Sequence, residues 1–218
     1  MNIGGKHLQS IWFDKDLAVV KIIDQTKLPH ELVIASLTTL DESCYAIESM
    51  QVRGAPLIGV AAAYGVYLAM VDEAQGLQYA LDKLAATRPT AVNLQWALSR
   101  MEEALLNVPE DQRARVAFDL AQTLEQEDIK ICAAIGANGA DLLQKLWEEK
   151  RATQTKLNVL THCNAGALAT VDWGTALAVI YKATERNIPL HVWVDETRPR
   201  NQGAALTCWE LAQEGIAH

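Results

Sequence analysis

The chain opens with short apolar runs cut by turn residues, then changes to longer stretches with helical spacing. Residues 7–13 and 17–23 are two such runs, and Asp14-Lys15-Asp16 separates them, which predicts an antiparallel hairpin. A third strand is expected at 31–35, after Pro29. Thr39 or Asp41 can cap a helix that runs to Met50, with Glu42 favourably placed in its first turn. Pro56 suits the first turn of the next helix, where its missing N–H would go unbonded anyway. The run 57–71 is rich in alanine and broken by Gly59 and Gly65, so it reads as a buried helix. No apolar run is expected to reach the length of a membrane span.

Helices are also expected at 76–86 and 92–106, with Thr87-Arg88-Pro89-Thr90 between them, since the residue before a proline leaves helical geometry. Pro109 opens a long helical region over 110–147, where Val116, Leu120, Leu124 and Ile131 share one face. Gly136-Ala137-Asn138-Gly139 would bend this helix or let another element approach. The charged stretch 148–156 reads as a connection. Beyond it come a strand at 157–160, a helix at 173–186, a strand at 190–194 and a helix at 204–213. Asp172 is the expected N-cap of the first of these helices, and Asn187 closes it.

This β-α-β-α alternation is the opening of a doubly wound parallel sheet. The fold class is therefore α/β. A small N-terminal antiparallel sheet plus helical domain occupies 1–150, and the start of a Rossmann-like parallel-sheet domain occupies 151–218. That sheet is incomplete, with two strands where about four to six are usual.

The chemistry gathers at Thr161-His162-Cys163-Asn164-Ala165-Gly166-Ala167-Leu168-Ala169-Thr170, which follows the 157–160 strand. Open α/β sheets bind ligands at the carboxyl ends of their strands. Cys163 is placed there, and Gly166 lets backbone come close to a ligand. A buried cysteine acting as a small hydrophobe is the competing reading. The segment 195–202 ends the neighbouring strand and would face the same crevice, where Gln202 can bond a sugar hydroxyl. Asp195, Glu196 and Arg198 either bind ligand or hold their own loop. Arg53-Gly54 precedes the Pro56 helix, and a helix start beside an arginine can bind phosphate; a glycine turn with a solvated arginine is the alternative. Arg88 alone reads as a surface residue, and His162 and His191 as core or rim histidines. Cys44, Cys132 and Cys208 lie in apolar helical patterns and read as structural.

Composition narrows the classes. The 218 residues are 50% hydrophobic, enough for one large domain or two small ones. A net charge of −8 argues against a nucleic-acid surface, which needs a basic patch. Four scattered cysteines without a C-x-x-C pair suggest neither a metal site nor a disulfide framework, and the chain reads as cytoplasmic. No G-x-G-x-x-G turn follows a strand, which weakens a nicotinamide-dependent reading.

Together, Arg53-Gly54-Ala55-Pro56, Arg88-Pro89-Thr90, Thr161-His162-Cys163-Asn164 and Thr197-Arg198-Pro199 with Gln202-Gly203 resemble the methylthioribose-1-phosphate isomerases. Order and spacing match over almost the whole chain. The wider superfamily includes ribose-1,5-bisphosphate isomerases and regulatory subunits of translation initiation factor 2B. The resemblance implies a cofactor-free aldose–ketose isomerase of methionine salvage, acting on a sugar phosphate as a homodimer. It implies that Arg53, Gly54 and Ala55 bind substrate, that Arg88 grips the phosphate, that Gln202 contacts ligand and that Cys163 is catalytic. A 5-deoxyribose 1-phosphate isomerase and a non-catalytic regulatory subunit are the alternatives. Such isomerases carry an acidic Gly-Ala-Asp-Arg-type motif and an Asn-Lys pair further along. This chain stops at His218, so the expectation is the front part of a longer protein, inactive alone and marginally stable. Asp195 is a candidate replacement acid without support from the resemblance.

Overall fold

The computed structural model describes residues 1–218, the side chain of Gln75 excepted. Strands β1 (Asn2–Ile3) and β2 (Lys6–His7) pair antiparallel. Strands β3 (Ile11–Asp14), β4 (Val19–Ile23) and β5 (Ile34–Leu37) form a second antiparallel sheet in that order. The hairpin is where the pattern placed it, but the run 7–13 is divided. Ser10 leaves the strand because its N–H donates to the Val171 carbonyl at 2.9 Å and its hydroxyl to the Ala167 carbonyl at 2.7 Å. The third strand lies three residues beyond the expected start. Asp24 turns the chain first, its carboxylate accepting from the Thr26 N–H and hydroxyl, and pairing resumes with Ile34 opposite Ile23.

Helix α1 (Leu40–Glu48) starts at Thr39 rather than Asp41, because Thr39 and Glu42 form a reciprocal capping box. Helix α2 (Ala55–Asp72) begins at Gly54 and spans 18 residues. It is thus long and apolar enough to cross a membrane, contrary to the expectation, yet 72% of it is buried by its neighbours. Around it pack α1, α3 (Leu77–Thr87), α4 (Val92–Leu105) and the first part of α5 (Glu110–Lys150). Small residues on α2, among them Ala61, Ala62 and Ala63, permit that close surround.

Helix α5 is a single 41-residue rod. Gly136 and Gly139 do not interrupt it; they admit α6 (Ala176–Glu185), lying against Ala178 and Val179. The rod also absorbs 148–150 from the expected connection. Its distal part, with Ala140, Leu143 and Trp147, joins a second core built by α6, β6 (Leu157–His162), β7 (Leu190–Asp195) and α7 (Cys208–Gln213). Strands β6 and β7 are parallel, from Leu157 opposite Leu190 to His162 opposite Asp195. A π-turn, Gly203–Thr207, leads into α7.

Asp172 does not cap α6; Thr175 occupies that position. The Asp172 carboxylate is buried and is claimed by tertiary partners, the Met1 amino group at 2.8 Å and His7 Nε2 at 2.6 Å. A third apolar cluster stitches the two halves together. Ile23 and Leu28 from the first half meet Ala167, Leu168 and Leu206 from the second. Burying a side chain of Leu168's size contributes roughly 1.5–3 kcal/mol, so this seam is a substantial contact, and the candidate site lies along it.

Candidate active site

Strand β6 ends at His162, and the chain turns at Cys163 with φ 63°. A cysteine in the left-handed region is strained by roughly 1–3 kcal/mol, a cost found mostly at functional sites. The turn is held from outside. The Cys163 N–H donates to the Asp195 carbonyl at 3.3 Å, and its carbonyl accepts from the Thr207 hydroxyl at 2.6 Å. The thiol then reaches Gln202, with Sγ 3.3 Å from Oε1.

Arg53 approaches from the other half of the molecule. Nη1 donates to the same Gln202 Oε1 at 3.2 Å, and Nη2 donates to Asn164 Oδ1. Arg53 is 6% exposed, and its Nε has no partner. Burial lowers the guanidinium from its ordinary value; Cys163 and then Glu210 oppose that shift, and Arg88 reinforces it. The Arg88 charge is thus felt at the site, although the side chain is half-buried at the end of α3.

Gly54 explains how Arg53 gets there. Its φ of +89° suits glycine alone, and a Cβ on it would overlap the backbone of Ala169. The helix beginning at Ala55 has no side-chain cap; Pro56 has no N–H and the Ile58 N–H donates to the Gly54 carbonyl, which leaves the Ala55 and Leu57 amides open. Ala55 itself is exposed.

A cavity of about 170 Å³ adjoins this cluster, lined by Gln25, Met50, Arg53, Arg200, Gln202 and Leu206 among others. Another cavity of similar volume involves His7, Trp173 and Glu214 and touches none of Arg53, Cys163 or Gln202. The structure therefore brings together Cys163, Arg53 and Gln202, with Gly54 beside them. Arg88 contributes its charge from further off. Asp195 is not in the cluster; its carboxylate is exposed and lies 3.8 Å from His162. Glu196 holds the loop rather than a ligand, accepting from the N–H groups of Thr197, Gly203 and Ala204 at 2.7–2.9 Å. Its slight burial raises its pKa, but those amides outweigh that and hold the carboxyl below its usual range. Among the described residues no group of histidine, cysteine and carboxylate side chains is arranged to hold a metal.

Several residues here escaped the sequence reading. Asn164 lies between Arg53 and the fully buried Glu210, donating to Glu210 Oε1 at 2.7 Å and Thr207 Oγ1 at 3.1 Å. Glu210 also accepts from the Tyr181 hydroxyl and the Ala167 N–H. Its carboxyl is raised by burial, against those hydrogen bonds. Gln25 is 5% exposed and donates to the Leu168 carbonyl at 2.7 Å. An acid between Trp209 and Leu211, in the largely apolar stretch beginning at Leu206, was the available signal for Glu210.

The chain is similar to known proteins over its whole length. The chain is 52% identical over its whole length to a methylthioribose-1-phosphate isomerase of Escherichia coli O45:K1, covering 59% of that protein. It is 53% identical to the enzyme of the same name from Rhodospirillum centenum, covering 58% of it. The chain thus spans about three fifths of the length of these relatives. Two solved structures superpose with a TM-score of 0.82 over 97% of this chain. One is 5-methylthioribose 1-phosphate isomerase from Pyrococcus horikoshii OT3, at 33% identity and 59% of that chain. The other is the translation initiation factor eIF-2B delta subunit from A. fulgidus, at 41% identity and 61% of that chain. Residues 51–218, from the Arg53 turn to the last residue, match the family profile as well: the chain belongs to the initiation factor 2 subunit family.

Proposed function

We propose that this chain carries the thiol and phosphate-gripping parts of an aldose–ketose isomerase that converts 5-methylthioribose 1-phosphate to 5-methylthioribulose 1-phosphate. The observation that carries the reading is the meeting of Cys163 Sγ and Arg53 Nη1 on one oxygen of Gln202. The names of the full-length relatives support it.

The substrate's anomeric oxygen bears the phosphate, so loss of a hydroxyl proton cannot open the ring. An acid protonates the ring oxygen instead, which breaks its bond to C1; hydrogen then moves from C2 to C1, and the C2 hydroxyl returns its proton to the acid's conjugate base as the ketone forms. Arg53 holds the phosphate with donors it does not use internally, helped by the open amides after Gly54 and by the charge of Arg88. Gln202 orients a sugar hydroxyl, and Cys163 moves the proton between C1 and C2. The apolar side chains that line the cavity, Leu28, Met50 and Leu206, keep the intermediate from water. The enzyme works in the cytoplasm, in keeping with four free cysteines. It is a homodimer, and the exposed Ile131, Ile135, Leu142 and Leu146 on α5 offer such an assembly apolar surface to bury. Sedimentation at micromolar concentration checks this; a monomer at every concentration overturns it.

The likeness to a translation initiation factor subunit favours a second reading, a non-catalytic regulatory subunit, which we take to bind sugar phosphate without turnover. Titration with 5-methylthioribose 1-phosphate and an isomerisation assay separate the two. The isomerase reading expects Cys163→Ser to bind as the parent does and to lose turnover. Turnover by the parent that Cys163→Ser abolishes overturns the sensor and the expectation that the chain is inactive alone, and absence of binding overturns both readings.

A further inference from the structure

Resting on that reading of the site, we infer that Glu210 is a positioning residue, which sets the polarity of the Asn164 amide and so presents an acceptor to Arg53. An asparagine amide can face either way, and what it faces decides which end does what. Here every neighbour dictates the same choice. The Leu168 N–H also donates to Glu210 Oε1, at 3.4 Å, so that oxygen is an acceptor, and its 2.7 Å contact requires the Asn164 NH₂. Thr207 gives its hydroxyl proton to the Cys163 carbonyl at 2.6 Å, which leaves its oxygen to accept the second N–H of Asn164 at 3.1 Å. With both N–H groups committed, Asn164 Oδ1 is left for Arg53 Nη2. The guanidinium is thereby fixed on one side by Asn164 and on the other by Gln202, with Nε free.

Glu210 is itself immobile. Tyr181 donates to Oε2 at 2.9 Å and the Ala167 N–H at 2.7 Å, and the residue is fully buried. The same side chain therefore also holds the loop after Cys163, at Ala167 and Leu168. Replacing Glu210 with glutamine puts an NH₂ where an acceptor is needed. Asn164 then has reason to flip, and a flipped amide turns its NH₂ toward Arg53, donor against donor.

The test compares the 218-residue protein with Glu210→Gln, Asn164→Ala and, as control, Tyr181→Phe, which removes a bond to Glu210 without touching the relay. The first readout is the ¹⁵N spectrum of the arginine side chains, in which a guanidinium bonded at both Nη groups rotates slowly and shows resolved Nη signals. We expect those of Arg53 in the parent and in Tyr181→Phe, and their collapse in Glu210→Gln and Asn164→Ala. The second readout is affinity for 5-methylthioribose 1-phosphate, expected to fall about tenfold in the two relay variants, the scale of one charge-assisted hydrogen bond. A folded Glu210→Gln that keeps the Arg53 signals overturns the inference; should that variant not fold, the same result in Asn164→Ala does so. Collapse of the signals in proteins that bind no sugar phosphate leaves the relay standing and removes the substrate reading.

Discussion

Cys163 and Gly54 are the two residues whose backbone geometry decides the site, and they differ in how readable they are. Gly54 has φ +89° and lies against the backbone of Ala169, so any Cβ meets a carbonyl group that cannot rotate away. Gly54→Ala is therefore expected to destabilise the protein by roughly 2 kcal/mol or more, combining left-handed strain with overlap. Urea unfolding measures this, and a change within about 0.5 kcal/mol, the range of an ordinary surface substitution, would contradict it. The glycine before a proline-started helix was legible because few other residues suit that turn. Cys163 was legible from its place at a strand end, and its strained φ was not. Asp172 misled for a related reason. Aspartate caps helices well, but a buried carboxylate goes to its strongest available partners, and these, Met1 and His7, are more than 160 residues away in sequence. Glu210 was hidden in the same way, since nothing local shows that α7 turns its acid inward.

Among the elements, α5 makes the two contacts with the most specific chemistry. Its Gly136 faces the Ala178 carbonyl of α6, where an added Cβ would come to 2.8 Å, whereas Gly139 faces the Val179 side chain. Neither neighbour can step aside, since Val179 is β-branched and its Cγ2 would overlap a Cβ on Gly139. Gly136→Ala and Gly139→Ala are thus each expected to cost about 1–3 kcal/mol by overpacking. A change within about 0.5 kcal/mol in thermal unfolding at either position would show that α6 shifts as a unit. Toward α2, the Glu125 carboxylate accepts from the Tyr64 hydroxyl in the first core. Burial raises the Glu125 pKa, and the bonds from Tyr64 and Gln126 only partly oppose this. A carboxyl raised on folding binds its proton more tightly in the folded state, so its contribution falls as pH rises from 4.5 through the folded value. Glu125→Gln, which keeps an acceptor for Tyr64, is expected to be more stable than the parent at pH 7. That advantage shrinks as pH drops toward 4.5, and urea midpoints across that range test it; a gap that widens on acidification contradicts the burial argument. Helix periodicity showed where α5 lay. It could not show that the glycines serve close approach rather than a bend, because that choice depends on α6.

For the whole molecule, the question is whether two cores behave as one. The sequence pattern divides near residue 150, where the charged stretch begins and the strand–helix alternation follows. The apolar clusters divide differently, since α5 runs unbroken from the first core, through Ala117, Ala121 and Leu124, to the second, through Ala140 and Leu143. Ile23, Leu28, Leu168 and Leu206 add a second join, and Arg53 with Asn164 and Gln202 a polar third. Unfolding the second core alone would expose the distal half of α5 and strand the buried guanidinium without its acceptors, a cost of several kcal/mol for a charged group. Such coupling favours a single transition. Tryptophans at 12, 96, 147, 173, 193 and 209 report from both regions, so fluorescence and far-ultraviolet dichroism are expected to give coincident urea curves. Leu168→Ala, which empties a fully buried place in the seam, is expected to lower the midpoint by an amount corresponding to roughly 2–5 kcal/mol. It should also weaken sugar-phosphate binding, because the Leu168 side chain packs in one cluster with Leu28 and Leu206, which line the cavity beside Arg53 and Gln202. Two separated transitions in the parent, or a seam variant that loses stability with no change in binding, would mean that the site belongs to one half alone and that the long helix joins the halves without coupling them.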